Sequence, residues 1–349
     1  MQPVGWVGDL HEAIEEYHLR GWTDGLPVVP PTEELLARFL EAGGMEEGEA
    51  VFRLGERRRT VTAGKVALNA VLAGCLPDYM PVLLAALEAM ADPDYNLHSS
   101  ASSTGGAAPL MVVNGPVRRQ IGMNAGGNVF GPGCRANSTI GRAIRLVLIN
   151  CLGAVPGILD RSTQGHPGKA GFTIAENEEA SPWEPFHVEK GFSPGTSAAT
   201  LLAAEGPHNI QNHYGRAAGV LDTAAHTMAS MGSMSPGQSF FVLAPEHAAL
   251  IAEEFPTKRA AKEYLFERSY LPEEMLRRTG KLNGPSWSGD PAKVRRGLSP
   301  EDIHIVVAGG EAGGHSAWIP SWSRRRNGLA VTRPVLSAEE RRARWKERA

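Results

Sequence analysis

The sequence of 349 residues lacks the features that mark several large classes of protein. Its formal charge at pH 7 is only −3, so no cationic surplus favours binding to nucleic acid. No apolar run approaches the roughly 20 residues that a helix needs to cross a bilayer. Three cysteines, Cys75, Cys134 and Cys151, are too few for a disulfide framework, and no secretory signal accompanies them. We therefore expect a cytoplasmic protein that binds neither nucleic acid nor membrane.

Short motifs for nucleotides and metals are also missing. There is no GxxxxGK[ST] phosphate loop and no GxGxxG dinucleotide fingerprint. No CxxC pair occurs, and no HExxH sequence defines a set of metal ligands. The sequence therefore predicts no particular cofactor, and a metal remains an alternative.

Glycine and proline are abundant, with 40 and 25 residues, and predict many loops around a compact core. Apolar runs at 110–115, 240–245 and 304–309 each end in Gly or Pro and alternate with helical patterns. Continuous apolar runs are typical of buried parallel strands. We therefore predict an α/β fold with largely parallel sheets, helices on both faces and long Gly/Pro-rich loops, and we detect no internal repeat.

The length accommodates two lobes or one large domain. The predicted parts are an N-terminal helical and extended arm at 1–61, a first α/β lobe at 62–200, a second α/β lobe at 201–336 and a charged tail at 337–349. Residues 154–192 show little periodicity, and an ordered loop of that length is usually functional.

The stretch 126–151 joins a glycine-rich loop to a helix with an apolar face. Asn137 or Ser138 is the predicted N-cap, because its side-chain oxygen can accept from an unpaired N–H of the first turn. Backbone N–H groups and the positive helix end favour a carboxylate or phosphate, although such glycines can simply permit tight turns. The predicted substrate-binding residues of this stretch are Gly126, Gly127, Asn128, Arg135, Asn137, Ser138 and Arg142.

A second glycine-rich loop, at 309–316, follows the last long apolar run. Successive glycines can turn their N–H groups inward to form an anion nest, and a flexible turn is the alternative. Gly310 and Gly314 are therefore further predicted substrate-binding residues. Lys169, in GHPGK, is predicted either to pair with an anionic substrate or to be exposed.

Loop cysteine, histidine and glutamate residues supply candidate catalytic groups. Cys75 precedes a helix predicted to start at Pro77, where a thiol pKa is lowered, although free cysteine is more often a buried apolar residue. Loop histidines suit proton transfer, and clustered glutamates can have one raised pKa. The predicted catalytic residues are Cys75, His98, Glu176, Glu179, His208 and His315, and the alternative metal site consists of His166, Glu176, Glu179 and His208.

Four long motifs carry a resemblance to a known family. They are GWTDGLPVVPPT at 21–32, AGCLPDYMPVLLAALEAM at 73–90, the block from VVNGP at 112–116 to GPGCRANSTIGRA at 131–143, and AENEEASPWEPFHVEKGF at 175–192. These motifs resemble bacterial proteins, or fused N-terminal regions, that accompany UGSC-type (seleno)proteins. The resemblance implies a reductive UGSC-type partner, similar to the selenoprotein subunits of glycine reductase. This chain has no UGSC or CGSC motif, so the redox role is not carried over, and Cys75 is the thiol favoured for a role.

The sequence as a whole predicts an enzyme that cleaves a bond in a small anionic metabolite of the carboxylate type by lyase or hydrolase chemistry. One alternative is a non-catalytic accessory or binding subunit of a reductive (seleno)protein system. Another is a metal-dependent hydrolase or lyase. The glycine-rich loops and broad apolar helix faces also predict a homo-oligomer.

Overall fold

The fold is described from a computed structural model that covers residues 9–323 and 327–346, with side chains as far as residue 344. The helices are α1 Leu10–Leu19, α2 Glu33–Gly43, α3 Ala63–Ala73, α4 Met80–Met90, α5 Leu97–Ser100, α6 Val117–Gln120, α7 Arg135–Asn150, α8 Phe186–Glu189, α9 Ala217–Met228, α10 Pro245–Glu254, α11 Lys258–Arg268, α12 Glu273–Arg278 and α13 Ala338–Lys346. The strands are β1 Ala50–Leu54, β2 Arg59–Thr62, β3 Ala108–Asn114, β4 Thr173–Ala175, β5 Ala198–Ala204, β6 His208–Gln211, β7 Ser239–Leu243, β8 Ile303–Val307, β9 His315–Pro320 and β10 Val331–Pro334.

Helix α7 begins earlier than its sequence predicts. It starts at Arg135, and its N-cap is Cys134, whose side chain makes no capping hydrogen bond. Asn137 is buried and binds the backbone of Asn124 instead, accepting from its N–H and donating to its carbonyl, both at 2.9 Å. The prediction of Asn137 or Ser138 as the N-cap is therefore wrong. The side-chain amide of Asn137 holds the preceding loop instead of capping the helix.

Two four-stranded sheets form the centre of the α/β fold. The first has the order β10-β5-β3-β4 and the second has the order β6-β9-β7-β8. In each sheet one pair is parallel, β3 with β4 and β7 with β8, and the other pairings are antiparallel. The α/β class is confirmed, but the sheets are mixed where the apolar runs predicted largely parallel ones.

The two sheets pack face to face, and this packing explains the continuous apolar runs. Leu110 and Val112 of the first sheet share a core with Val242 and Val306 of the second. The opposite face of the first sheet packs on α3, α4 and α7, and that of the second packs on α9, α10 and α11. Each sheet therefore has helices on one face rather than on both, and burial between layers, not parallel pairing, makes its strands apolar throughout.

The sheets have the same internal plan and exchange one strand each. In both, a parallel pair is joined through helices, α7 between β3 and β4 and α10 with α11 between β7 and β8. The next strand, β5 or β9, returns antiparallel beside the first strand of the pair. The strand that follows each of these in the chain pairs in the other sheet. β6, which follows β5, joins the second sheet, and β10, which follows β9, joins the first. The structure thus contains a topological repeat that the sequence does not reveal.

The predicted domain boundaries do not coincide with the edges of these units. Strand β5 covers 198–204, so the predicted boundary at 200 falls inside a strand. Phe39 and Val61, from the predicted arm, are buried in the core of the first sheet and its helices. The described part of the predicted tail is α13, whose Arg341 pairs with Glu88 of α4. Residues 1–8 and 347–349 of those two parts lie outside the described residues.

Within 9–323 and 327–346, no helix is both long enough and apolar enough to cross a bilayer.

Candidate functional site

A first cleft, of about 470 Å³, lies where the segment after α7 folds back on that helix. We call it the Asp160 cleft. Its lining residues are Asp24, Leu26, Arg145, Ile149, Pro156, Gly157, Asp160, Ser162, Gln164, Gly165, Lys169 and Ala170. It combines side chains of α7 with backbone turns of 156–170, a stretch in the region whose low periodicity predicts a functional loop.

Two cations share one carboxylate in the wall of the Asp160 cleft. Lys169 Nζ lies 2.7 Å from Asp160 Oδ2, and Arg145 Nη1 lies 3.4 Å from the same oxygen. Arg145 Nε also donates to the Lys169 carbonyl at 2.7 Å, which ties the loop to α7. Arg145 is 7% exposed, so its charge is almost entirely removed from water. A buried cation that has only part of a carboxylate as its partner favours a further anion.

Ser162 completes this cluster. Its Oγ accepts from Lys169 Nζ at 2.6 Å and donates to Asp160 Oδ1 at 2.7 Å. Burial lowers the pKa of Lys169, and the hydrogen bond to Asp160 only partly offsets that effect. Burial tends to raise the pKa of Asp160, but the hydrogen bonds from Lys169 and Ser162 outweigh it, so that pKa is lowered overall. The cluster therefore holds a serine hydroxyl against an amine that loses its proton more readily than an exposed lysine.

The other wall of the Asp160 cleft comes from the segment that precedes α2. Arg142 Nε donates to Asp24 Oδ2 at 2.9 Å, and Arg142 Nη2 donates to Asp24 Oδ1 at 2.8 Å. The same guanidinium donates to the carbonyls of Leu26 and Pro27. The hydrogen bonds to this wall therefore occupy the Arg142 guanidinium. The sequence predicts instead that Arg142 binds substrate together with the glycine-rich loop.

A second cleft, of about 360 Å³, lies at the carboxyl ends of β7 and β8. We call it the glycine-loop cleft. Its lining residues are Asn128, Val129, Phe130, Gly131, Pro207, Asn209, Val242, Ala308, Gly309, His315, Ser316 and Ala317. Ligands of α/β sheets commonly bind at such strand ends.

The two predicted glycine-rich loops meet at this second cleft. Gly309 N donates to the Ala125 carbonyl at 2.9 Å. Gly127 and Gly310 face each other so closely that a Cβ on Gly127 would lie 3.9 Å from the Gly310 Cα. On the facing strands, His315 Nδ1 lies 3.1 Å from Asn209 Oδ1. The structure thus brings together Gly127, Asn128, Gly310 and His315 from the predicted set, with Gly126 directly adjacent in the chain.

His166 lies between the two clefts. It follows Gly165 of the Asp160 cleft, and its ring packs on Phe172 at a centroid distance of 5.6 Å. Phe172 in turn packs on Phe130 of the glycine-loop cleft at 5.7 Å. Burial lowers the pKa of His166, whose Nδ1 accepts from Gly168 N.

The predicted anion nest is formed, but the protein occupies it. Glu246 Oε2 accepts from Gly313 N and Gly314 N, both at 2.8 Å. These hydrogen bonds, from Gly314 first, lower the pKa of Glu246. The predicted ligand Gly314 therefore binds a carboxylate of this chain.

The remaining predicted residues of the glycine-rich stretch, Arg135 and Ser138, belong to the first turn of α7. Arg135 Nε donates to the Gly74 carbonyl at 2.9 Å, and Ser138 is an exposed residue of the first turn. Neither residue lines either of the two clefts.

Five of the six predicted catalytic residues lie outside both clefts: Cys75, His98 and His208, and the two glutamates described next. Cys75 is buried, its Sγ donates to the Thr139 carbonyl at 3.3 Å, and burial raises its pKa to about 12. This environment is the opposite of the one predicted, because the thiol is enclosed by apolar side chains. His98 accepts from Arg57 at 3.3 Å, and His208 contacts Ser233 Oγ at 3.1 Å on the helix side of β6.

The predicted glutamates belong to an ionic cluster at the ends of β3 and β4. Glu176 is fully buried and accepts from Asn114 Nδ2 at 2.5 Å and from Phe186 N at 2.7 Å. Burial raises its pKa, and Lys258, at 3.6 Å, opposes that effect. Glu179 pairs with Arg118 and Arg119 near the surface.

The alternative metal site is not assembled. Among the residues that the structure describes, no group of three or more His, Cys, Asp or Glu side chains is arranged to hold a metal ion. His166 and His208 bind protein groups separately, and Glu176 and Glu179 are taken up by the ionic cluster.

The sequence analysis does not single out several polar residues of the two clefts, among them Arg145, Asp160, Ser162 and Asn209. Arg145 carries a usable signal, because it interrupts the apolar run of α7 between Ile144 and Leu146 and is buried there. A cation within an apolar helix face requires a buried partner, and Asp160 is the carboxylate that follows. Asn209 carries no such signal, since its pairing with His315 spans 106 positions.

Comparisons of the chain with protein-family models, with curated proteins and with solved structures give no match. The two clefts are therefore interpreted from their geometry and chemistry.

Proposed function

We propose that the protein is a hydrolase for a small carboxylate substrate and that the Asp160 cleft is its active site. The observation that carries the proposal is the sharing of one carboxylate, Asp160, by two cations in the wall of a 470 Å³ cleft. The proposal keeps the predicted anionic substrate, and it changes the role of Lys169 from a partner of the anion to a base. It moves catalysis from Cys75 to the cleft.

The charges around the cleft favour an anion. Arg142, Arg145 and Lys169 carry three positive charges, and Asp24 and Asp160 carry two negative ones. A substrate carboxylate beside Arg145 would balance the remaining charge while Lys169 is protonated. Once Lys169 has lost its proton, Arg145 holds the carboxylate. Charge-assisted hydrogen bonds of this kind are stronger than neutral ones, most of all when the guanidinium is buried.

The chemistry assigned to the cleft is attack by Ser162 with Lys169 as base. Once Lys169 has lost its proton, the Ser162 hydroxyl would turn from Asp160 Oδ1 to donate to Lys169 Nζ, 2.6 Å away. Ser162 Oγ would then form a bond to the substrate carbonyl carbon while its proton moves to that amine. The same proton would then pass to the leaving alkoxide or amine, and water would hydrolyse the acyl-enzyme. The lowered pKa of Lys169 supports this role, because more of the amine is neutral at a given pH.

Labelling with a fluorophosphonate tests this chemistry. The reagent phosphonylates activated serines with loss of fluoride, and mass spectrometry identifies the modified residue. We expect labelling at Ser162, its loss in Ser162→Ala and a strong decrease in Lys169→Met. Arg161→Gln is the matched control, because Arg161 lies in the same segment, is exposed and does not line the cleft. The labelling rate should rise with pH, with a midpoint below 10.5, the ordinary lysine pKa.

Binding of succinate, followed by ligand-observed NMR, tests the anion site separately. Arg145→Gln should weaken it at least about tenfold, because a charged hydrogen bond contributes about 1.5–3 kcal/mol. If the wild type neither labels at Ser162 nor binds succinate, the proposal is wrong.

A second function, the accessory binding subunit, is favoured by the rim of the same cleft. Leu26, which lines the cleft, is 51% exposed, and Ile158, which follows the lining residue Gly157, is 68% exposed. Apolar side chains therefore lie beside the anion site. Such a rim suits a partner protein that performs the chemistry on the bound anion, as the resemblance to proteins accompanying UGSC-type (seleno)proteins implies. Succinate binding without Ser162 labelling would favour this function over the hydrolase.

A further inference from the structure

A third cleft, of about 200 Å³, is lined by α13, α4, β10, β1 and the segment before β1. We call it the Arg341 cleft. Its lining residues are Met45, Glu49, Ala50, Val51, Glu88, Arg333, Arg341 and Arg344. Arginines outnumber glutamates in this lining, so it carries a surplus of positive charge. It shares no lining residue with the Asp160 cleft, so a site here and the proposed active site can each exist without the other.

Arg341 is the buried cation of this cleft, with only 6% of its surface exposed. Its Nη1 pairs with Glu88, but its Nε and Nη2 are enclosed and have no hydrogen-bond partner among the described residues. The N–H bonds of Nε and Nη2 point the same way along one edge of the planar guanidinium. That edge matches two oxygens of one carboxylate or phosphate group. Because a buried donor without a partner is costly, the edge favours such an anion.

Arg344 is the second cation available in this cleft. It follows Arg341 by three positions, so the two side chains are neighbours on α13. Arg344 is exposed and has no ion pair within the described part of the chain. Arg333, by contrast, pairs with Asp92 after α4. The cations without a full complement of partners therefore lie together on one helix.

We propose that the Arg341 cleft binds a small anion with two oxygens side by side, a carboxylate or a phosphate group. The anion would accept from Arg341 Nε and Nη2, and Arg344 would add a further charged contact. Protein atoms enclose Nε and Nη2, so the guanidinium would turn toward the cleft about its pair with Glu88 as the anion enters. Glu49 and Glu88 oppose a second negative charge, so a singly charged anion fits best.

NMR of the full-length protein tests the proposal through the Nε–H resonance of Arg341, which Arg341→Lys identifies by removing it. Acetate and inorganic phosphate should shift this resonance in a saturable way, and the tighter of the two shows which group the cleft takes. Chloride at the same ionic strength should not, because it has no pair of oxygens. Arg344→Gln should weaken binding roughly threefold, since an exposed charge is screened by water.

Arg342→Gln is the matched control. Arg342 is the next residue of α13, is exposed and donates to the Glu41 carbonyl, but it does not line the cleft, so its removal should leave the affinity unchanged. The proposal is overturned by an unmoved Arg341 resonance at about 10 mM of either anion, which allows for the small size of the probes. An equal shift with chloride, or an unchanged affinity in Arg344→Gln, would overturn it as well.

Discussion

Burial has a larger effect on the pKa of the Cys75 thiol than the position of the residue before a helix. The residue precedes the short helical turn at Pro77–Tyr79 that leads into α4, and helix N-termini generally lower thiol pKa values. Apolar neighbours and enclosure dominate here, and burial raises the pKa of Cys75 to about 12 and that of Cys151 to about 11. Cys134, the N-cap of α7, is the partly exposed thiol.

Thiol reactivity tests this ranking. At pH 8 the native protein should react with a maleimide or disulfide reagent at one thiol per chain, because only Cys134 is accessible. Cys134→Ser should abolish the fast reaction, whereas Cys75→Ser should leave it unchanged. In urea all three cysteines should react. A fast native reaction that disappears in Cys75→Ser would contradict the buried environment.

At the scale of the element, the close packing of α7 on β4 depends on one glycine. A Cβ on Gly141 would lie 2.9 Å from both the Gly171 Cα and Thr173 Oγ1 and 3.0 Å from Phe172 N. Two of these neighbours are backbone atoms, which cannot move aside without shifting the strand.

Gly141→Ala should therefore destabilise the protein by about 1–3 kcal/mol, the usual cost of overpacking. Gly219→Ala in α9 is the control, since a Cβ there meets nothing within 4 Å and should stabilise by up to about 1 kcal/mol. Urea unfolding of both variants measures whether each substitution lowers or raises the free energy of unfolding. Equal effects would mean that helix propensity, rather than the contact with 171–173, decides the outcome at Gly141.

Elements with a strong local signal are predictable from the sequence. Asp9 and Thr32 are the N-caps of α1 and α2 and accept from Glu12 N and Leu35 N. Asp and Thr before a helical pattern are among the preferred N-cap residues. The apolar runs locate β3, β7 and β8. Strands β4 and β6 escape prediction because three or four residues are too short to show a period.

The candidate site is likewise predictable only where the sequence carries a local signal. Glycine-rich loops are visible in the sequence, and two of them do meet at one cleft. The Asp160 cluster depends on which polar groups the fold places together, and no spacing rule joins Arg145, Asp160 and Ser162. The face-to-face packing of the sheets also has no local signal. A buried strand has the same apolar sequence pattern whether a helix or a second sheet covers it.

At the scale of the whole molecule, buried charge joins the two halves. Lys258 of α11, 1% exposed, lies 3.6 Å from Glu176 after β4 and 3.6 Å from Glu189 of α8. Lys262 also pairs with Glu189. Enclosed carboxylates and amines of this kind depend on each other, because each is costly to bury alone.

Lys258→Met should cost about 3–5 kcal/mol in the free energy of unfolding, because it leaves Glu176 without its opposite charge. The double variant Lys258→Met/Glu176→Gln should recover most of that loss, since both charges are then removed. Chemical denaturation of the wild type, both single variants and the double variant gives the coupling between the residues. Additive effects of the two substitutions would contradict a direct interaction.

The exchange of β6 and β10 has a consequence for any piece of this chain made alone. Without β10 the outer edge of β5 would be bare, and without β6 the same would be true of β9. A bare strand edge offers unpaired N–H and C=O groups and recruits strands from other molecules. A fragment that lacks its exchanged strand would therefore expose the edge of β5 or β9, which the intact chain pairs.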